Sequence, residues 1–241
     1  MAYSLRKLSS CYAGNAIQVR RSSDNSTRDI GFTYDGDLDS AALKSFVGSG
    51  DGFITIWYDQ SANNRNMVPL ATNYEPQIIF NGVLKYIGTR PTIDFNSNKG
   101  LTTSFSGSPI SLKKVAGVIR SEYTNFPHHH SILDANQRIG GFLEYQNVVF
   151  HSNKYPTELW RNGVSLSINA SLAPVNKPMV VTYGTHNDLV TCLGIGNYDC
   201  GGSGGSMLES EVIAFSTSLT TNNQESLNSN QGGYYSTKIT T

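Results

Sequence analysis

Brief apolar runs, each cut off by glycine, asparagine, proline or serine, recur along the whole chain. The strongest is Ile54-Thr55-Ile56-Trp57-Tyr58, an unbroken row of β-branched and aromatic residues that predicts a buried strand. Ala16–Arg21 alternates apolar with polar, as a half-buried strand does. Ala2–Leu8, Asp29–Tyr34, Pro76–Phe80, Pro91–Phe95, Leu112–Arg120, Pro178–Tyr183, Leu189–Ile195 and Glu211–Phe215 read as further strands. Asn81-Gly82 and Asn162-Gly163 are hairpin turns, the second joining the two halves of Glu158–Leu166. Gly140–Tyr145 and Val148–Phe150 form another hairpin. Only two stretches carry helical signals. Asp37–Val47 has Asp37 or Asp39 as a cap, one apolar face (Leu38, Ala42, Leu43, Phe46, Val47) and Gly48 as a stop. Asn222–Gln231 follows a Thr221/Gln224 capping box and is expected to end at Gly232. With roughly a dozen short strands and no βαβ alternation, the pattern predicts one all-β domain over residues 1–241, a two-sheet antiparallel jelly-roll sandwich with two short helices.

Charge changes this picture little. Lys+Arg and Asp+Glu are both 18, and charged residues make up only 15% of the chain, against about 25% in an average globular protein. Neutral Asn, Ser, Thr and Gly supply the polarity, so neither nucleic acid nor an anionic membrane is an expected partner. The opening Met1-Ala2-Tyr3-Ser4-Leu5-Arg6-Lys7 lacks the apolar core of a signal peptide. Of the three cysteines, Cys192 and Cys200 flank a short loop; they are expected to be reduced, with pairing in an oxidising setting as the alternative. His128-His129-His130 reads as an exposed loop rather than a metal site, because consecutive residues on an extended chain point to opposite faces. Asn197–Ser206 is a glycine-rich flexible loop.

The strand at Trp57 runs into Tyr58-Asp59-Gln60-Ser61-Ala62-Asn63-Asn64-Arg65-Asn66. Asp, Asn and Ser bond nearby backbone, and Arg65 has a fork of donors for which Asp59 is the nearest acceptor. Trp57, Asp59, Gln60, Asn63 and Arg65 are therefore read as a structural corner, with a sugar- or ion-binding loop as the sharper alternative. No cofactor is expected; a calcium ion would draw on Asp59, Asp94 and Asp199.

Two segments carry a specific resemblance. Trp57–Arg65 resembles the Tyr-Asp-Gln-Ser-Gly-Asn-Gly segment of the catalytic domain of family 54 α-L-arabinofuranosidases. Leu193-Gly194-Ile195-Gly196, with Glu209 thirteen residues on, resembles a late Leu-Gly-Ile-Gly segment of that family. More loosely, Glu158–Gly163, Pro178–Tyr183 and Val212–Phe215 resemble concanavalin A-like, laminin-G-like jelly rolls, and Ala2–Leu8 resembles the opening of related bacteriophage virion domains. The furanosidases are retaining enzymes, which need a nucleophile and an acid/base carboxyl about 5 Å apart. By resemblance these are Glu144 and Asp199. The match is imperfect: Phe142 stands where the family has a substrate-binding Asp, Tyr198 takes the acid's ungapped position, and His129-His130-Ser131-Ile132 replaces an adjacent cysteine pair.

These departures favour a non-enzymatic bacteriophage virion surface protein, a capsid decoration or tail-fibre/adhesin module, over a retaining arabinofuranosidase-like hydrolase. A sugar-binding module of a secreted enzyme is a third reading. In the first reading Tyr145, Trp160, Tyr198 and Asp199 bind glycan. The expected partners are other virion proteins and cell-surface polysaccharide, and the resemblance implies a trimer at the virion surface.

Overall fold

A computed structural model describes residues 1–96, 98–105, 107–122, 128–134, 139–145, 148–149, 156–168, 176–185, 189–196, 200 and 207–237, with backbone alone for 128–134, 139–145 and 148–149. Two antiparallel sheets, of twelve and six strands, form the body of the fold, beside a two-stranded ribbon of Tyr86–Ile87 and Arg90–Pro91. The larger sheet runs in the order Val164–Leu166, Leu159–Arg161, Met179–Gly184, Lys114–Ser121, Met207–Phe215, Ile93–Asp94, Gln77–Phe80, Gly52–Trp57, Ile17–Arg21, Thr27–Ile30, with Ala2–Ser4 added on Met207–Phe215 and Val83–Leu84 on Gln77–Phe80. The smaller runs Leu101–Ser104, Leu189–Ile195, His128–Asp134, Ile139–Tyr145, Val148–Val149, with Ile110–Ser111 added on Leu189–Ile195. One apolar cluster fills the space between them, with Ile54, Trp57, Val115, Ile119 and Val212 from one sheet and Leu101, Leu193 and Ile195 from the other. This is the two-sheet sandwich expected from the pattern.

Both Asn-Gly turns form as the sequence predicts. Asn81 and Gly82 have φ of 47° and 74°, and Asn162 and Gly163 have 50° and 83°, the doubly positive geometry whose twist matches the flanking strands. The first helix is shorter than expected, Ser40–Val47, with Asp39 as its cap accepting from the Ala42 N–H at 2.9 Å. The second differs at both ends. Thr220, not Thr221, caps it, and it continues through Gly232 and Gly233 to Tyr234. Tertiary anchoring outweighs the glycine stop: Tyr235 is 1% exposed, and the αL residue that closes the helix is Ser236, at φ 56°, with the Thr237 N–H bonded to the Gly232 carbonyl at 2.8 Å.

Three further expectations need correction. His128–His130 begins a seven-residue strand, His128–Asp134, rather than lying in a loop, because pairing on both sides recruits a segment with no apolar signal of its own. The strand expected from Glu211 starts at Met207. Its Glu209-Ser210-Glu211 run conceals it, yet all three residues are 0% exposed. Cys192 and Cys200 are not reduced: they form a disulfide with Cα atoms 6.5 Å apart. Cys11 is free and exposed.

Candidate functional site

The polar corner after Trp57 is a fastening. The Asp59 carboxylate, 2% exposed, accepts from the Ala2 N–H (2.8 Å), the Ser61 N–H (3.0 Å), the Ser61 hydroxyl (2.9 Å) and the Arg65 N–H (3.1 Å). Gln60 accepts from the Leu8 N–H and donates to the Ser4 and Arg6 carbonyls, each at 2.9 Å. Asp59 and Gln60 thus hold the N-terminal segment against the sheet. Arg65 meets Asp59 through its backbone, not its side chain. Its guanidinium lies 5.1 Å from the Phe105 ring centre, and its carbonyl accepts from the Tyr3 hydroxyl. Asn63 only donates to the Ser61 hydroxyl, at 2.9 Å, and Trp57 packs in the core with its ring centre 5.9 Å from that of Tyr3. Asp94 is likewise committed, accepting from Asn96 and pairing with Lys85 at 3.1 Å. Both oxygens of Asp59 and of Asp94 therefore already serve the chain's own donors. No group of three or more His, Cys, Asp or Glu residues suited to a metal ion occurs among the described residues.

The other end of the fold offers a different arrangement. Ile195 pairs with His130, and His130 pairs with Phe142. Leu189–Ile195 and Ile139–Tyr145 both run antiparallel to the strand between them, so they point the same way. Glu144, opposite Val149, is two residues past that shared level. It therefore stands at the end of the sheet where the chain leaves Ile195 for the Gly196–Cys200 segment, two strand spacings away, about 10 Å. Gly196 is required at this exit. Its φ is 71°, and a Cβ there would lie 2.6 Å from both the Lys99 carbonyl oxygen and the Phe95 ring. The disulfide returns Cys200 to Cys192, whose Sγ lies 2.9 Å from the Thr102 hydroxyl. Tyr198 and Asp199, and the side chains of Glu144 and Tyr145, lie outside the described residues.

Trp160 is on the other sheet, half-buried, with its indole N–H donating to Glu158 at 3.0 Å. Burial pushes the Glu158 carboxyl up, but the bonds from Lys114 and Trp160 outweigh this and hold it below its usual value. Sequence reasoning missed the buried polar cluster around Glu211. Glu211 is buried and takes both arms of Arg6 at 2.7 and 3.0 Å, the Ser4 hydroxyl at 2.8 Å, Gln231 at 3.2 Å and the Tyr235 hydroxyl at 3.3 Å. Burial drives the Tyr235 phenol well above its ordinary pKa, with the Glu211 charge adding to this. The apolar strand around Glu211 was the only hint that this acid would be buried and need a cation.

A family model described as alpha-L-arabinofuranosidase B, catalytic, matches residues 1–78. That span contains the corner but neither Glu144 nor Asp199. No curated protein matches the chain. Solved structures do. A mutant GH54 α-L-arabinofuranosidase soaked with 4-nitrophenyl α-L-arabinofuranoside is 15% identical, with a TM-score of 0.57, over 95% of this chain and 61% of that one. An arabinofuranosidase complexed with arabinofuranosyl-α-1,2-xylobiose is 16% identical, with a TM-score of 0.51, over 94% and 61%. The chain spans about three-fifths of the length of these proteins, and at such identities the likeness is one of fold. The fold is similar to that of the GH54 α-L-arabinofuranosidase structures.

Proposed function

We propose that this domain hydrolyses α-L-arabinofuranosides with retention, Glu144 acting as nucleophile and Asp199 as acid/base. The observation that carries this reading is the register that sets Glu144 at the sheet end from which the Gly196–Cys200 segment departs. The shared fold and the family match over residues 1–78 support it. In the reaction the Glu144 carboxylate attacks the anomeric carbon while Asp199 protonates the departing oxygen. Water then cleaves the glycosyl ester, giving its proton to Asp199. The test is release of 4-nitrophenol from 4-nitrophenyl α-L-arabinofuranoside. Glu144→Gln should lose at least about 1,000-fold in kcat, as removal of a covalent nucleophile does, with an unchanged thermal midpoint. An inactive parent protein, or a Glu144→Gln variant as active as the parent, overturns the assignment.

A second reading keeps the site but removes the chemistry. Phe142 in place of the substrate-binding Asp, and His129-His130-Ser131-Ile132 in the region of the cysteine pair, favour a domain that holds glycan without cutting it, as a virion surface protein would. Retention of an arabinose-containing polysaccharide with no product released selects this reading over the first.

A further inference from the structure

A second concave site lies beside the polar corner. Its lining comes from the Cys11–Asn15 segment, Asp29 and the Tyr58–Asn66 loop, and it encloses about 560 Å³, within the range of small-ligand sites. Val68, just beyond that loop, bridges to Thr102, whose strand lies three places along the smaller sheet from the one carrying Glu144.

Its chemistry is selective. Two aromatic residues, Tyr12 and Tyr58, line it. Tyr58 donates to Asp29 at 2.8 Å, and burial together with that bond pushes its phenol up to about 12. Tyr12 donates to the Asn15 carbonyl at 2.9 Å. Asp59 and Ser61 are engaged with the chain's own groups, but other polar groups are unspent. Among the described residues the side-chain amides of Asn15 and Asn64 make no hydrogen bond, and Asn66 uses only its oxygen, accepting from the Asp59 N–H at 3.0 Å. Asp29 uses only one oxygen, which accepts from Tyr58 and Gln18. Among the described residues no Lys or Arg lines the cleft, so it presents no fixed cation to a phosphate, sulfate or carboxylate. The wall is preorganised, because Asp59 and Gln60 behind it are saturated by internal bonds. Asn64 is held at φ 52°, a conformation that asparagine tolerates better than most residues.

We propose that this cleft binds a neutral saccharide, its rings packing against sugar C–H faces and its free amides and carboxylate oxygen bonding hydroxyls. The proposal does not depend on hydrolysis. Cys11, exposed at the rim, provides a built-in reporter: occupancy should slow its alkylation by iodoacetamide. The probes are methyl pentofuranosides, methyl hexopyranosides and soluble arabinan and arabinoxylan, with heparin as the anionic control. At least one neutral probe should slow alkylation of the intact protein about three-fold or more, and heparin should not. Asn15→Ala combined with Asn64→Gly, which preserves the backbone at residue 64, should abolish the protection with the thermal midpoint kept. Glu144→Gln should leave it intact, which separates this site from the hydrolytic one. Unchanged alkylation with every neutral probe, or full protection in the folded double variant, overturns the proposal.

Discussion

Two strand-to-loop exits in this molecule are built from the same residue types and serve opposite ends. After Trp57 the chain turns through Asp59 and Gln60, whose polar atoms are almost all bound within the fold. After Ile195 it turns on an obligatory glycine and is returned to the sheet by a disulfide rather than by a web of hydrogen bonds to one carboxylate. The family model matches the first exit and stops before the second. A likeness concentrated in a fastening transfers the scaffold. Whether the reaction transfers depends on residues elsewhere.

The contrast can be broken by substitution. The largest effect should fall on the fastened side: Glu211→Ala leaves the Arg6 guanidinium largely buried without its carboxylate and should cost about 3–5 kcal/mol in denaturant-induced unfolding. Cys200→Ser should cost about 2–3 kcal/mol, the loop-closure value for an eight-residue separation, and dithiothreitol should lower the parent's midpoint by the same amount while leaving that of the variant alone. Asp59→Asn turns one acceptor oxygen into a donor facing donors, with an expected loss of about 2 kcal/mol by the same unfolding measurement. Acid sharpens the picture further. The folded Glu158 carboxyl titrates below its unfolded value, so its contribution is complete above the ordinary carboxylate range and disappears as pH falls through the folded pKa. Because the side chain is 39% exposed, the loss should be no more than about 0.5 kcal/mol, and absent in Glu158→Gln across the same pH series. Smallest of all, Glu144→Gln should shift stability by less than about 0.5 kcal/mol, since a group kept for substrate is not part of the fastening. A larger shift would move Glu144 to the structural side of the comparison.

Much of the fold was legible because its cues are local. The row of β-branched residues at Ile54, the two Asn-Gly turns and the Asp39 cap each act within a few positions. What was missed depends on distant partners. Glu209–Glu211 looks too polar for a central strand until Arg6, about two hundred residues away, neutralises Glu211. The helix passes its glycines because Tyr234 and Tyr235 pack against Arg6, with ring centres 4.6 and 5.7 Å from the guanidinium. The saccharide cleft joins segments that have no shared pattern; only the loop after Trp57 was marked as a candidate, and Tyr12, Asn15 and Asp29 carried no sequence signal.

The strand Met207–Phe215 sits mid-sheet, between Lys114–Ser121 and Ile93–Asp94, and also takes the first strand, Ala2–Ser4, as a partner. During synthesis that slot stays empty until residues 207–215 have left the ribosome, so each neighbour made earlier waits with an open hydrogen-bonding edge. Such high contact order slows folding and prolongs exposure to aggregation. A nascent chain that stalls before residue 207 cannot close its larger sheet, and the half-built sandwich becomes a client for chaperones.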